Sequence, residues 1–414
     1  MRALFRRNPL VGILIIALGL RAGTAVWVQS RLDADPDRRF LIAGDAEGYW
    51  ELGRRIAACE SYEVYDPPRR VLRMPGFPAV LAVSIAVFGE RLLPARLLLA
   101  VVGTAACGMV YWLGREVFSR RVGLIAAACA AVSPPLVGFS VLVLSETAFA
   151  ACLAASLAAM ARLTQIGFAA EDRLRGLAWS AAVGTIVALA VFMRPTWLPA
   201  APLFAACYVC TAEFRRAALA RGAVVLLSTG MLLLPWTVRN SLVTGHPVVT
   251  TLWVGPSLYD GLNPQAAGES DMAFFDRERL SARLTEYEVD RHYRRKALEF
   301  VREHPWRTVE LAAAKFVRFW KPWPNAAQFD RWPYRLAVAA AFLPMAALAL
   351  RGLWVHRREF WAWALTAGPV LLFTLVHMVF VGSLRYRLPA EYPLWVLAAA
   401  GLVSVWPRET EERR

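Results

Sequence analysis

The sequence predicts an all-α polytopic membrane protein with about ten transmembrane helices, within a range of roughly nine to thirteen. Of its 414 residues, 57% are hydrophobic and 19% are charged, whereas average globular chains are about 25% charged. Apolar runs close to the roughly 20 residues that cross a bilayer as a helix recur from Val11 to Val405. Arginines cluster in the short connections between these runs, as is typical of cytoplasmic loops in membrane proteins.

The predicted spans follow the apolar runs. They are 9–28, 92–114, 121–138, 141–163, 175–192, 195–211, 219–237, 333–352, 359–381 and 387–406. The first is interpreted as a retained signal anchor, because its apolar stretch is long for a cleaved signal peptide. With the N-terminus in the cytoplasm, the arginine-rich connections and the C-terminal tail all fall on the cytoplasmic side. We therefore expect an integral, multi-pass membrane protein with both termini in the cytoplasm.

A further apolar segment, "PGFPAVLAVSIAVFGE" (75–90), is predicted to lie in the outer interface instead of crossing the membrane. A full crossing would move the arginine-rich "GREVFSRRVG" to the outside. Three regions result. They are an N-terminal transmembrane module (1–238) with a first outer loop (29–91), an outer loop with interfacial helices (239–334), and C-terminal transmembrane helices with a cytoplasmic tail (335–414).

Composition and motifs disfavour several classes of protein. The net charge of +15 can indicate nucleic-acid binding, but here the basic residues are explained by the loops, so no nucleic-acid partner is expected. Cys207 and Cys210 form a C-x-x-C inside a predicted span with no second pair, which favours packing over metal binding. The sequence contains no Walker A motif, dinucleotide glycine fingerprint or H-E-x-x-H motif, which argues against ATP-driven pumps and nucleotide-sugar enzymes.

Five arginines depart from the charge rule because they fall at the outer ends of predicted spans. They are Arg73, Arg194, Arg239, Arg385 and Arg387. Each alone could reach lipid headgroups along an apolar stem. Five at one membrane face make a shared anionic ligand a competing interpretation, and a planar guanidinium suits a phosphate.

Acidic residues add a complementary signal. Asp45 and Glu47 begin the helix-like insert "GDAEGYWELGRRI", and Glu146 lies near the outer end of an apolar span, where an ionisable group is a functional hypothesis by default. For Asp45 an alternative stays open, since an aspartate there could simply cap the following helix. Tyr49 and Leu52 recur at helical spacing on that helix and could dock it on the membrane surface.

These features, in this order, resemble the polytopic GT-C glycosyltransferases. The nearest branch is the protein O-mannosyltransferase and lipid A aminoarabinose transferase group. The matching segments are "GDAEGYWELGRRI", "RMPGFPAVLAVSIAVFG", "RLLLAVVGTAACGMVYWLGREVFSRRVGLIAA", "SVLVLSETAF", "PWTVRNSLVTGHPVV" and "RYRLPAEYPLWVLAAAG". The ordered set is specific for the superfamily and carries little information about the substrate.

The resemblance implies a membrane glycosyltransferase that moves a sugar from a polyprenyl-phosphate donor to an acceptor on the outer face, with inversion. The acceptor could be a lipid, a protein or a glycan, and membrane lipids surround the protein. The implied location of the active site is the non-cytoplasmic face of the membrane, which in a bacterium is the inner membrane. No cofactor is certain, although a divalent metal at Asp45 and Glu146 is possible by analogy with some family members.

The resemblance also assigns roles to residues. Asp45 matches the essential acid of the first outer loop and would act as the base. Arg385 or Arg387 would contact the donor phosphate. The predicted substrate-binding residues are Glu47, Tyr49, Arg73, Glu146, Arg194, Arg239, Arg385, Tyr386 and Arg387.

A transporter or flippase of lipid-linked sugars is the main alternative. Such a protein would also need polar groups in a membrane cavity, but often with inverted repeats and helices broken near the middle of the bilayer. The sequence has no convincing internal repeat, and its unusual polar residues gather at one membrane face, which favours an interfacial enzyme.

Overall fold

The computed structural model describes residues 8–35, 38–324 and 329–406. Within these ranges the protein is all-α: the only β-type pairing is one isolated bridge between Val64 and Arg69. The predicted fold class is therefore confirmed. The α-helices are, in chain order, α1 Pro9–Asp33, α2 Asp45–Ala57, α3 Gly76–Phe88, α4 Leu92–Val117, α5 Arg120–Val132, α6 Pro134–Phe139, α7 Glu146–Thr164, α8 Arg173–Met193, α9 Ala200–Thr211, α10 Arg215–Thr244, α11 Val254–Gly261, α12 Ala273–Glu278, α13 Glu286–Glu303, α14 Pro305–Trp320, α15 Trp332–Val355, α16 Phe360–Thr366, α17 Gly368–Val379 and α18 Leu384–Val403.

Six helices in the described ranges are long and apolar enough to cross a membrane: α1, α4, α7, α8 with the short turn before it, α10 and α15. The pair α16 and α17, bent by 49°, makes up to seven. The expected number of about ten is not confirmed. The predicted span 121–138 is broken between α5 and α6 at Ser133, where Pro134 and Pro135 favour an extended residue before them. The predicted span 141–163 becomes helical only at Glu146.

Helix α2 packs against α3 instead of docking its apolar face on a membrane surface. Tyr49 and Leu52 are 9% and 1% exposed, and Tyr49 meets the ring of Phe77 edge-on, with 4.9 Å between ring centroids. A Cβ atom on Gly53 would lie only 2.9 Å from the Cβ of Leu81, so glycine allows the two helices to approach closely. The expected membrane-docking face of α2 is therefore part of the protein core.

Helix α3 has 13 residues, which is too short to cross a bilayer at 1.5 Å per residue. This length is compatible with the predicted non-crossing segment. The N-terminus of α3 lies against the C-terminal end of α8, since a Cβ atom on Gly76 would lie 2.7 Å from the backbone of Phe192. The contact fixes the loop carrying Arg73 beside the end of α8.

Buried basic side chains donate hydrogen bonds to backbone carbonyl groups at several helix ends. The last carbonyl groups of a helix lack partners within it, and lipid offers no hydrogen bonds. Four basic side chains, each 0% to 3% exposed, donate to such carbonyls at or just beyond a helix end. They are Arg21 to Ala130 and Ala131, Arg221 to Ile166 and Gly167, Lys315 to Val379, and Arg387 to Phe319 and Lys321.

The long connection between α10 and α15 contains its own small core. Tyr293 of α13 is fully buried and contacts the rings of Tyr259, Phe274 and Phe275. In α14, Leu311, Lys315 and Phe319 recur at helical spacing and are all buried. This face of α14 therefore packs against the protein.

Candidate active site

Five of the predicted residues meet where several helices begin or end. Asp45 is the first residue of α2, Glu146 is the first residue of α7, and Arg385 is the second residue of α18. Arg73 precedes α3, and Arg194 directly follows α8. We call Asp45, Arg73, Glu146, Arg194 and Arg385 the charged cluster. It joins residues up to 340 positions apart, because the helix packing brings the N-terminal ends of α2, α3, α7 and α18 to the C-terminal end of α8.

Asp45 is held between two arginines. Its Oδ1 accepts a hydrogen bond from Nη2 of Arg73 at 2.7 Å, and its Oδ2 accepts one from Nη1 of Arg385 at 2.8 Å. About a third of its side-chain surface, 35%, stays exposed. Asp45 is thus the member of the charged cluster that a substrate can reach most easily.

Asp45 does not cap the helix that it begins. Gly44, with φ of 70°, is the N-cap residue, and the carboxylate of Glu47 accepts a hydrogen bond from the Gly44 N–H at 3.3 Å. The capping interpretation of Asp45 is therefore wrong, and Glu47 performs that role instead. Glu47 itself is exposed and takes no part in the ion pairs of the charged cluster.

The ionisation of Asp45 follows from its neighbours. Burial would raise the pKa of Asp45, but the positive charges and hydrogen bonds of Arg73 and Arg385 outweigh it and hold that pKa well below its usual value. The carboxylate is consequently charged at neutral pH and is only weakly basic while both arginines are bound to it.

Glu146 is the buried acid of the cluster. Its side chain is only 2% exposed. Its Oε1 accepts a hydrogen bond from Nε of Arg385 and lies 3.2 Å from Nη1 of Arg194. Its Oε2 has no partner among the described residues. Arg385 therefore bridges the two carboxylates. With three arginines and two acids, the cluster carries one net positive charge, which equips it for an additional anion.

Aromatic rings surround the arginines. The guanidinium carbon of Arg73 lies 4.4 Å from the ring centroid of Tyr49, and that of Arg194 lies 5.3 Å from the ring centroid of Tyr386. Tyr386 stacks on His377 with centroids 4.3 Å apart and ring planes inclined by only 4°. Both predicted tyrosines thus contact the cluster. His377 was not predicted, although an ionisable residue within an apolar run is itself a signal.

Two predicted arginines also lie outside the charged cluster. Arg239 donates to the backbone carbonyls of Arg70 and Tyr62, at 2.6 and 3.1 Å, so it supports the loop that carries Arg73. Arg387 is 0% exposed and forms an ion pair with Glu391 at 2.8 Å. The structure therefore separates Arg385, which joins the charged cluster, from Arg387, which does not.

The arrangement does not fit a divalent metal. Both carboxylates of the cluster share Arg385, and three guanidinium groups occupy the positions next to them. In the described part of the chain, no three His, Cys, Asp or Glu side chains are grouped so that they could hold a metal ion. Hard cations such as Mg²⁺ need several oxygen ligands free of competing cations, and Asp45 and Glu146 do not provide them here.

Comparisons with solved structures define the class of the fold. The archaeal oligosaccharyltransferase AglB from Archaeoglobus fulgidus, in complex with an inhibitory peptide and a dolichol-phosphate, is 16% identical at a TM-score of 0.58, over 97% of this chain and 51% of that one. The same organism's oligosaccharyltransferase, tethered with an acceptor peptide, is 16% identical at a TM-score of 0.59, over 97% of this chain and 50% of that one. This chain thus spans about half the length of these proteins. A weaker match is ArnT from Cupriavidus metallidurans bound to undecaprenyl phosphate, with 19% identity and a TM-score of 0.43 over 95% and 77%.

The chain therefore has a GT-C-like fold. The dolichyl-phosphate-mannose-protein mannosyltransferase family matches residues 68–238, which include Arg73, Glu146 and Arg194. This match and the fold confirm the resemblance to the GT-C superfamily that the sequence predicted. No curated protein sequence matches the chain.

Proposed function

We propose that this protein is a membrane glycosyltransferase, which moves a sugar from a polyprenyl-phosphate donor to an acceptor hydroxyl or other nucleophile with inversion at the anomeric carbon. The observation that carries the proposal is the partly exposed Asp45 carboxylate, held between Arg73 and Arg385 in a cluster with net positive charge. The match to a dolichyl-phosphate-mannose-protein mannosyltransferase family supports a lipid-phosphate donor.

The donor phosphate is assigned to Arg385 and Arg194. In the transfer the bond between the anomeric carbon and the phosphate oxygen breaks, and negative charge develops on the polyprenyl phosphate that leaves. Fixed guanidinium groups stabilise that charge without reorganising at the moment of reaction. Both arginines are mostly buried, with 17% of each side chain exposed, so water screens them weakly.

Asp45 is the proposed base, and donor binding would activate it. When the phosphate takes hydrogen bonds from Arg385, Asp45 loses part of the positive charge that lowers its pKa. Its basicity then rises when the donor is in place, which is what general base catalysis requires. The acceptor proton moves to Asp45 as the acceptor attacks the anomeric carbon on the face opposite the phosphate, so no covalent sugar–protein intermediate forms.

One observation supports the alternative function of a flippase. Helices α16 and α17 are bent by 49°, and transporters use discontinuous helices. The charged cluster favours the enzyme, because it combines a net positive charge with a reachable carboxylate. A flippase would leave its lipid-linked sugar intact, whereas the enzyme releases polyprenyl phosphate, so analysis of the products separates the two functions.

Replacement of Arg385 by alanine tests the proposal at the donor. The purified protein in nanodiscs is expected to bind undecaprenyl phosphate and to release it from undecaprenyl-phosphate sugars supplied with an acceptor extract. Arg385→Ala should weaken undecaprenyl phosphate binding at least about tenfold, since charge-assisted hydrogen bonds contribute about 1.5–3 kcal/mol. Arg120→Ala removes an exposed arginine at the start of α5 and should bind normally. Equal affinities for both variants would reject the phosphate assignment.

The proposed orientation places the charged cluster on the non-cytoplasmic face, with the arginine-rich connections in the cytoplasm. Two exposed native cysteines report on it: Cys59 in the first long connection and Cys210 at the end of α9. In single-cysteine variants, a membrane-impermeant maleimide should label Cys59 in intact cells and Cys210 only after permeabilisation. The reverse labelling pattern would show that the orientation is inverted.

A further inference from the structure

A cavity of about 130 Å³ lies outside the charged cluster, between the segment after α2 and the long connection that follows α10. Arg69, Trp253, Phe275, Ser281, Thr285 and Glu286 are among the residues that line it. A water molecule occupies about 30 Å³ in the liquid. The cavity therefore has room for an anion such as a phosphate or a carboxylate.

Arg69 is held in this cavity by rings and not by acids. Its guanidinium carbon lies 4.4 Å from the ring centroid of Phe275, 4.9 Å from that of Trp253 and 5.5 Å from that of Tyr65. In the part of the chain that the structure describes, its side chain forms no hydrogen bond or ion pair. Rings engage the face of a guanidinium, so the N–H donors along its edge stay available for a ligand.

The charge of Arg69 is only partly compensated. Burial lowers the pKa of Arg69, while the nearby Tyr65, Glu286 and Asp276 act in the opposite direction. The two oxygens of Glu286 accept hydrogen bonds from the backbone N–H groups of Arg70 and Val71, at 2.9 to 3.1 Å. Glu286 therefore fixes the loop that carries Arg69 and leaves the guanidinium edge free. An anion in the cavity would supply the missing partner.

The cavity lies close to the helix that carries Asp45. Tyr65 contacts Arg69 through its ring, and its hydroxyl oxygen would lie 2.9 Å from a Cβ atom on Gly48. Gly48 is three residues beyond Asp45 in α2. One tyrosine side chain thus separates the Arg69 cavity from the proposed catalytic helix, while the donor arginines, Arg194 and Arg385, lie next to long apolar helices.

From this placement we infer that the Arg69 cavity binds an oxyanion, a phosphate or carboxylate, carried by the acceptor. The cavity is built from connecting segments and not from the candidate membrane-crossing helices, so its ligand arrives from the aqueous side. The hydroxyl group of Ser281 lines the same space and can donate to the anion, whereas the hydroxyl of Thr285 already donates to Glu288. The inference rests on the proposed function for the identity of the ligand as acceptor, but not for the binding of an anion.

Titration with inorganic phosphate, followed by ³¹P line broadening on the full-length protein in nanodiscs, tests the anion site. Arg69→Gln is expected to weaken the binding of phosphate at this site about tenfold or to abolish it. Arg70→Gln is the matched control, because it removes the same charge from the adjacent residue, whose side chain pairs with Glu63 at 2.9 Å. Equal effects of the two variants would show that phosphate responds only to the total charge of this loop, and would overturn the inference.

Two further experiments test the position of the anion site and its separation from the donor site. Ser281→Phe fills the cavity without changing charge and should also remove the phosphate signal, even if Arg69→Gln folds poorly. Undecaprenyl phosphate binding should be unchanged in Arg69→Gln and weakened in Arg385→Ala. Loss of undecaprenyl phosphate binding in Arg69→Gln would assign the cavity to the donor and overturn the acceptor assignment. Normal binding in Arg385→Ala would reject the proposed donor site while leaving the anion result intact.

Discussion

Replacement of Asp45 by asparagine is expected to abolish sugar transfer while the helices stay in place. Asparagine has the same shape, but it cannot take a proton from the acceptor, and general base catalysis typically contributes about 10²–10⁴-fold to a rate. Release of polyprenyl phosphate by the variant should therefore fall by about two orders of magnitude or more. The measurement is the rate of release under saturating donor, with thermal unfolding to confirm the fold.

The donor affinity of Asp45→Asn distinguishes a catalytic role from a structural one. Asp45 competes with the phosphate for Arg385, which donates to its Oδ2 at 2.8 Å. Removing the negative charge should leave undecaprenyl phosphate binding equal to that of the unaltered protein or make it tighter, although turnover is lost. A purely structural aspartate would lower affinity and stability together.

Glu47→Gln is the matched control for this experiment. It removes an acid two residues further along the same helix, where the side chain caps Gly44 and is exposed. A glutamine at this position can accept the same hydrogen bond from the Gly44 N–H, so near-normal stability and near-normal turnover are expected. Full activity in a correctly inserted Asp45→Asn protein would exclude Asp45 as the base.

The charged cluster could be predicted from sequence because charge at a membrane edge is informative without any knowledge of packing. Arginine on the outer side breaks the usual distribution, and an acid in an apolar run is costly. These two signals selected Arg73, Arg194, Arg385 and Glu146, which the structure brings together around Asp45. The fold class followed from the length and composition of the apolar runs.

Helix breaks and side-chain direction could not be predicted in the same way. Hydropathy treated 121–138 as one span, although the structure interrupts it at Ser133. Arg385 and Arg387 stand two residues apart on α18, and two residues turn a helix by about 200°. Only one of them can face the charged cluster, and which one does depends on the rotation of α18 against its neighbours.

The buried arginines show a further limit of sequence-based prediction. Arg21 and Arg221 are almost fully buried and donate to carbonyls of segments 54 to 110 residues away. Nothing in their local sequence indicates these partners, because every residue type has the same backbone carbonyl group. Their role depends on where other helices end, which is set only by the assembled fold.

Arg387→Met is expected to destabilise the protein strongly while leaving the donor site intact. The Arg387 side chain is fully buried, pairs with Glu391 and donates to the carbonyls of Phe319 and Lys321. Removing it leaves the Glu391 carboxylate buried without a partner, and breaking such a pair costs about 3–5 kcal/mol. Thermal unfolding in detergent should shift down clearly, whereas Arg120→Met, at an exposed position, should not shift it.

The double variant Arg387→Met/Glu391→Leu separates charge from packing. With both charges gone no unpaired ion is buried, so part of the lost stability should return, while the two carbonyl groups at the end of α14 still lack their donor. Undecaprenyl phosphate affinity, measured per folded molecule, should match the unaltered protein in both variants. If Arg387→Met instead lowered that affinity at unchanged thermal stability, Arg387 would belong to the phosphate site after all, and α18 would have to present both of its arginines to the donor.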